Sequence, residues 1–254
     1  METSEEFDLI VGIHSIVAAL KNPSRRHYML VTDEDSLTEI KKLTNVNDIE
    51  VSLFSSHKVQ EEAKIVYKKQ KREYQRVPGN CFLQTSPLEI TKIADFYSEV
   101  KPGTRILALD QISDVHNAGA ILRSAAFFNV DFVLVPPKNS FGLTSSFYRI
   151  ASGATEYVRL VEVSKLSRVI TKLNELGCET IALSEHASEG VDQVIENLAD
   201  KPVALVLGKE DTGISHAVMR VCRYQLALES QGQIKSLNVS IASALAMQKC
   251  FAKS

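Results

Sequence analysis

Four polar side chains between residues 117 and 238 have the types and spacing to do chemistry: Asn117, Arg123, Glu210 and Asn238. The first two share the segment DVHNAGAILRSA, which follows an apolar stretch ending at Asp110. Asn117 is a strong helix N-cap type. Gly119 and Arg123 are four apart and so share a helix face, with room left beside the arginine stem. Arg123 is a lone cation among Ala, Ile and Leu. Such an arginine either binds an anion or is buried against a carboxylate, here Asp110 or Asp114. The segment alone leaves both readings open.

Glu210 lies in LVLGKEDTGIS, where the apolar run ending in Leu207 breaks at Gly208. A glycine there permits close approach of a ligand to the backbone. Gly208 and Gly213 have phosphate-loop spacing, but Ile214-Ser215 stands where that loop needs Lys-Ser/Thr, which excludes ATP on this motif. Glu210 either orients hydrogen-bond donors or is a solvated loop acid. Asn238 lies in SLNVSIASAL, where polar residues gather at the start of a nearly uncharged helix. Ser236 or Asn238 can cap the orphan amides of that helix. The small residues Ala242, Ser243, Ala244 and Ala246 permit tight packing. This mouth is either an ordinary cap or one wall of a ligand pocket.

These residues need a frame to position them. The alternation of RILALD, AGAILRSAAFF, DFVLVP, SKLSRVITKLNELG, ETIALS, PVALVLG and YQLALE predicts an α/β fold with a mostly parallel sheet. Ligands of such sheets bind at loops beyond the carboxyl ends of the strands. Upstream, HSIVAALK, HYMLVT, LTEIKKLT and IEVSLF read as helix, strand, helix and strand, followed by a long basic helix and a turn at RVPGN. The expected division is a small α/β domain over 1–85, a linker over 86–103 and a second domain over 104–254. The 254 residues, 44% hydrophobic and 24% charged, suit a globular chain.

No apolar run approaches the roughly 20 residues that cross a bilayer. The acidic start METSEEFDLIVG lacks a secretory signal's basic region. The four cysteines are widely spaced and there is no HExxH, so reduced thiols, no metal site and a cytoplasmic location are expected. The net charge of −2 excludes a chain coated in basic charge, yet local basic faces remain. Lys58–Arg76 holds seven Lys/Arg against three Glu, and Lys21–His27 adds three basic side chains. Either run is a solvated face or a track for nucleic-acid phosphates.

In this order and separation, the three segments resemble the motifs of the SpoU/TrmH family, RNA ribose 2′-O-methyltransferases of the SPOUT class. HNAGAILRSA is similar to the first, LVLGKEDTGIS to the second and SLNVSIASAL to the third. The likeness covers about residues 104–254, with LTSSFYRIASGATEYV similar to the family's connection between the first two motifs. LIVGIHSIVAALKN resembles the small RNA-binding domain that precedes the catalytic domain in many members. Two departures stand out. RVPGNCFL lacks those members' His-Gln-Gly, and Leu226-Ala227-Leu228 with the longer ESQGQIK replaces Ile-Pro-Met and a short loop.

The resemblance implies a trefoil knot in the C-terminal domain, S-adenosylmethionine as cofactor and a homodimer that completes the active site. It assigns catalysis to Arg123 with Asn117 beside it, and supporting roles to Glu210 and Asn238. It assigns cofactor contacts to Leu207, Gly208, Leu226, Leu228, Ser236 and Leu237. The expected substrate is structured RNA, a guanosine of 23S rRNA ahead of tRNA. A non-catalytic RNA-binding protein on the same fold is the rival from another class. A dinucleotide enzyme ranks last, because no GxGxxG follows a strand.

Overall fold

A computed structural model describes residues 7–137, 142–185, 187, 195, 198, 200–234 and 236–251. The chain divides into two compact units, Met1–Glu89 with Leu143–Glu156, and Ile90–Gly142 with Tyr157–Ser254.

The first unit runs β1 (Asp8–Val11), α1 (Ile13–Lys21), β2 (His27–Thr32), α2 (Glu34–Leu43), β3 (Val51–Leu53), α3 (Ser56–Lys69) and β4 (Cys81–Thr85). Its sheet has the order β1-β4-β2-β3. β4 runs antiparallel to both neighbours, while β2 and β3 are parallel. Alternate side chains supply two cores, as the pleat requires. Ile10, Leu30 and Leu83 join Ile16 and Ile40, while Leu9, Val11, Val31 and Phe82 join Val59 and Val66 of α3. α2 begins early because Asp33 caps it, its carboxylate accepting from the Ser36 amide at 3.0 Å. α3 ends at Lys69, so the basic run leaves the helix there and does not continue helical to Arg76.

Leu143–Glu156, far along the chain, completes this unit through α6 (Ser145–Ala151). The tie is a buried ion cluster. Arg25 donates through Nε and Nη2 to the two oxygens of Glu156 at 3.1 and 2.9 Å, and through Nη1 to Asp8 at 2.8 Å. Tyr148 donates its hydroxyl to Asp8, and Asn22 its amide to Glu156 at 2.7 Å. Burial pulls the Arg25 pKa down, but Glu156 and Asp8 more than offset that and raise it. Arg25 is 5% exposed. It is therefore a structural cation, and the expectation that it belongs to an RNA-facing basic run is corrected. Lys64, Lys68, Lys69, Lys71, Arg72 and Arg76 do remain exposed.

The second unit contains α4 (Ile93–Glu99), β5 (Arg105–Leu109), α5 (Val115–Phe127), β6 (Phe132–Val135), β7 (Arg159–Glu162), α7 (Leu166–Glu175), β8 (Glu179–Leu183), β9 (Val203–Leu207), α8 (His216–Met219), β10 (Tyr224–Leu226) and α9 (Val239–Phe251). All its paired strands are parallel, in the order β10-β8-β9-β5-β6-β7. Ile106, Leu134, Val161, Ala182 and Val206 build the core, and the residues read as linker contribute Phe96 of α4 to it, fully buried. The chain moves outward from β5 through β6 to β7, then resumes on the other side with β8 and β9. The reversal falls between β5 and β9, and the loops that follow these two strands carry the first two motifs. Among the described residues, no helix is long and apolar enough to cross a membrane.

Candidate active site

α5 starts one turn earlier than its sequence suggests. Asp114 is the N-cap, and its carboxylate accepts from the Asn117 amide at 2.8 Å. Asn117 therefore lies inside the first turn, and its side chain is released from capping. The signal was present in Asp-x-x-Asn, since Asp ranks with Asn as a cap.

The freed carboxamide joins the other two motifs. Asn117 donates through Nδ2 to Glu210 Oε1 at 2.8 Å. Asn238 donates through its Nδ2 to the same oxygen at 2.6 Å and to Asn117 Oδ1 at 3.0 Å. Asn238 Oδ1 accepts from the Ser240 amide at 2.9 Å and from the Ser240 hydroxyl, which caps α9. One carboxylate thus gathers two amides from loops 93 and 28 residues away. This answers the solvated-acid reading of Glu210: it is exposed, yet it is the hub of the cluster.

The loop holding Glu210 is closed on itself. Lys209 and Gly213 exchange backbone hydrogen bonds of 3.1 and 2.8 Å. A Cβ on Gly208 would collide with the carbonyl carbon of Gly213 and the nitrogen of Ile214. The close approach expected for a ligand at Gly208 is made here by the loop's own backbone. Asp110 ties the same loop to β5, accepting from the Ser215 amide at 2.7 Å through Oδ2. A cleft of about 210 Å³ lies among Ile112, Asp114, Asn117, Lys209, Glu210 and Val239.

Arg123 is exposed, and among the described residues it has no hydrogen bond or ion pair. Neither Asp110 nor Asp114 neutralises it, since both serve backbone amides. The reading of this cation as buried against a local carboxylate does not fit that surface. Gly119 is buried on the same helix, and α5 packs against α9. Ser243 and Ala246 of α9 are fully buried, as their small size allows.

Leu207 and Leu226 close β9 and β10 and are buried, while Gly208 and Leu228 are half-buried. Ser236 is exposed, and Leu237 is 51% exposed. Lys235, the last residue of the long loop from Glu229, lies outside the described residues. The four cysteines are unpaired, and burial pushes each thiol up to about 12, so none is a thiolate near neutrality. Among the described residues no group of His, Cys, Asp and Glu has metal-binding geometry.

The chain is similar along nearly its whole length to known proteins. The 23S rRNA (guanosine-2′-O-)-methyltransferase RlmB of Nitrosomonas europaea is 29% identical over 248 residues, covering 95% of this chain and 90% of the relative. A solved RNA 2′-O ribose methyltransferase superposes with a TM-score of 0.72 at 22% identity, over 97% of this chain and 88% of the other. The SpoU methyltransferase AviRb of Streptomyces viridochromogenes, solved with AdoMet, has the same fold with a TM-score of 0.72 at 16% identity, over 96% and 88%. Residues 104–248 match the SpoU rRNA Methylase family, and this span holds the whole Asn117–Glu210–Asn238 cluster and Arg123. The chain belongs to the SpoU rRNA methylase family.

Proposed function

We propose that this protein transfers a methyl group from S-adenosylmethionine to a ribose 2′-hydroxyl of structured RNA, at a guanosine of large-subunit ribosomal RNA. The observation that carries the reading is the cluster in which Glu210 holds Asn117 and Asn238, with Arg123 exposed further along the helix that bears Asn117. The activity of the Nitrosomonas relative supports the choice of nucleotide.

The residues present fit the cofactor. Leu237 and Ile234 stand 51% and 79% exposed near the mouth of α9, an apolar surface that an adenosine moiety would cover. Leu207, Gly208, Leu226, Leu228, Ser236 and Leu237 are assigned to hold it. It would supply an electrophilic methyl group on a sulfonium. The C–O bond to the 2′-oxygen would form as the C–S bond breaks, and S-adenosylhomocysteine would leave as the neutral thioether. The hydroxyl proton would pass to solvent, and no covalent enzyme intermediate would be needed. Catalysis is then mainly positioning, which supplies roughly 7–11 kcal/mol in well-oriented systems. A guanidinium stays protonated, its pKa being above about 12, so Arg123 is no general base. It grips an RNA phosphate and stabilises negative charge growing on the 2′-oxygen.

The same reading carries a threaded C-terminal chain and a homodimer. After β10, at the far edge of the sheet, the chain returns past β8 and β9 to pack α9 on α5, a path that supports threading. Ile241 and Leu245 of α9 and Leu237 just before that helix recur every four residues, all exposed, and Phe127 of α5 is 82% exposed. That apolar stripe supports pairing with a second copy.

The test is methyl transfer from labelled S-adenosylmethionine to separated rRNA and tRNA fractions, with Arg123→Ala as control. Alkali-resistant label at one rRNA site, lost in the variant while cofactor binding stays, is the expected result. Label confined to tRNA would move the substrate. Normal turnover by Arg123→Ala would remove the assignment of that residue.

A further inference from the structure

A second cavity, of about 170 Å³, opens at the carboxyl ends of β5, β6 and β7. Leu134, Val135, Pro136 and Val163 give it apolar walls, and Asp110, Gln111 and Ser164 add polar groups. It shares the β5–α5 loop with the catalytic cleft: Asp110 and Gln111 line one, and Ile112, Ser113 and Asp114 line the other. Gln111 takes a left-handed φ of 62° at the point of division. Such a conformation in a non-glycine residue is uncommon, and it is seen at binding loops.

Asp110 is 7% exposed and spends Oδ2 on the Ser215 amide, while Oδ1 has no partner among the described residues. Oδ1 is not sealed from solvent, and a carboxylate oxygen at the wall of such a recess can accept from an N–H donor of a ligand. The rim carries cations. Lys165 sits between the lining residues Ser164 and Leu166, and Arg168 follows within a turn. Lys165 and Arg168 are exposed, and the exposed acid Glu162 stands beside Val163. The volume is well under the roughly 300–1,000 Å³ of ordinary small-ligand pockets. It suits one flat heterocycle whose charged remainder stays outside.

We infer that this cavity receives an unstacked guanine base of the RNA substrate, at or beside the methylated nucleotide. This rests on the RNA methyltransferase reading. Single-stranded RNA is read by splaying bases into such recesses and bonding their Watson–Crick edges. Guanine offers N–H donors on that edge to Asp110 Oδ1, and the rim cations meet the flanking phosphates.

The experiment uses ribosomal RNA fragments carrying the photoreactive base 6-thioguanine, with the full-length protein. Cross-linked peptides are mapped, and methyl transfer and S-adenosylmethionine binding are measured on the same samples. Two variants are compared. Asp110→Asn keeps an acceptor for Ser215 but turns the other atom into a donor, and Ser164→Trp fills the recess from its exposed side. The expected result is cross-linking within residues 134–137 or 163–166, lost in Ser164→Trp. In Asp110→Asn, kcat/KM for RNA falls roughly ten- to hundredfold, the size of one hydrogen bond to a charged group, with cofactor binding unchanged. Inosine replacing guanosine at the cross-linked position should cost the wild type a similar factor and Asp110→Asn little more. Methyl transfer with cross-links elsewhere, or with both variants as active as wild type, would overturn the base pocket and leave the methyltransferase intact. Cross-links at the pocket without methyl transfer to any RNA would retain the pocket and sink the catalytic reading. Loss of both signals would overturn both.

Discussion

At the scale of single residues, the site depends on one carboxylate satisfying two carboxamides. Glu210 Oε1 accepts from Asn117 and Asn238, and these two amides also bond each other. Replacing Glu210 by Ala removes a charged acceptor common to all three motif segments. A hydrogen bond to a charged group is worth about 1.5–3 kcal/mol, and exposure brings this pair toward the lower figure. Glu210→Ala should therefore lower kcat about tenfold through misplacement of Asn117, with little change in thermal stability because the cluster is exposed. Single-turnover methyl transfer and a melting curve check both halves; a large fall in melting temperature would make Glu210 a structural residue. Most of this was legible in the sequence. Asn117, Glu210 and Asn238 stood out by residue type, but their meeting did not, because it spans 121 positions between Asn117 and Asn238. The capping role was misplaced by three residues, since Asp114 and Asn117 are both good caps and nothing local ranks them.

At the scale of elements, the loop after β9 works because glycine lets it fold back on itself. Gly208 faces the backbone of Gly213 and Ile214, with no volume left for a methyl group. Gly208→Ala must push that backbone away, which breaks the Lys209–Gly213 bonds and shifts Glu210 two residues on. Activity should fall more than tenfold, and S-adenosylmethionine affinity should fall with it, as measured by calorimetry. Wild-type affinity in that variant would separate the cofactor site from this turn. Helices and buried parallel strands such as β5, β6 and β9 were readable from runs of Leu, Val and Ala. β4 and β7 were not. Arg159–Glu162 has charged ends on four residues, and Cys81–Thr85, though flanked by the Pro-Gly-Asn turn, has only two strongly apolar residues, Phe82 and Leu83, so neither shows a clear strand pattern. α6 lay hidden too, because a seven-residue helix holds too few turns to show a period.

At the scale of the whole molecule, two surfaces decide assembly and stability. The first is the apolar stripe of Ile241 and Leu245 on α9, continued before the helix by Leu237. A charge at its centre, Ile241→Glu, should cost nothing in the isolated fold, since Ile241 is 54% exposed. It should convert a dimer into a monomer by sedimentation and reduce methyl transfer with it; an unchanged mass would move the interface elsewhere. The second is the cluster that binds Leu143–Glu156 into the first unit. No sequence periodicity announces that residues lying between β6 and β7 complete a fold begun at Asp8. The partners of Arg25 lie 17 and 131 positions away, and a basic run looks the same whether its arginine is solvated or buried. Glu156→Gln tests this directly. The side chains of Arg25 and Glu156 are 2% and 1% exposed, so the change leaves a buried guanidinium facing an amide donor. Breaking a buried pair by removing one partner costs about 3–5 kcal/mol, more than any surface pair would. The loss should appear as faster amide hydrogen exchange in β1, β4 and α6 together, with β5, β6 and β9 protected as before. Exchange confined to α6 would show that the segment merely leans on a unit that folds without it. Exchange unchanged everywhere would show that Asp8 alone holds the Arg25 charge.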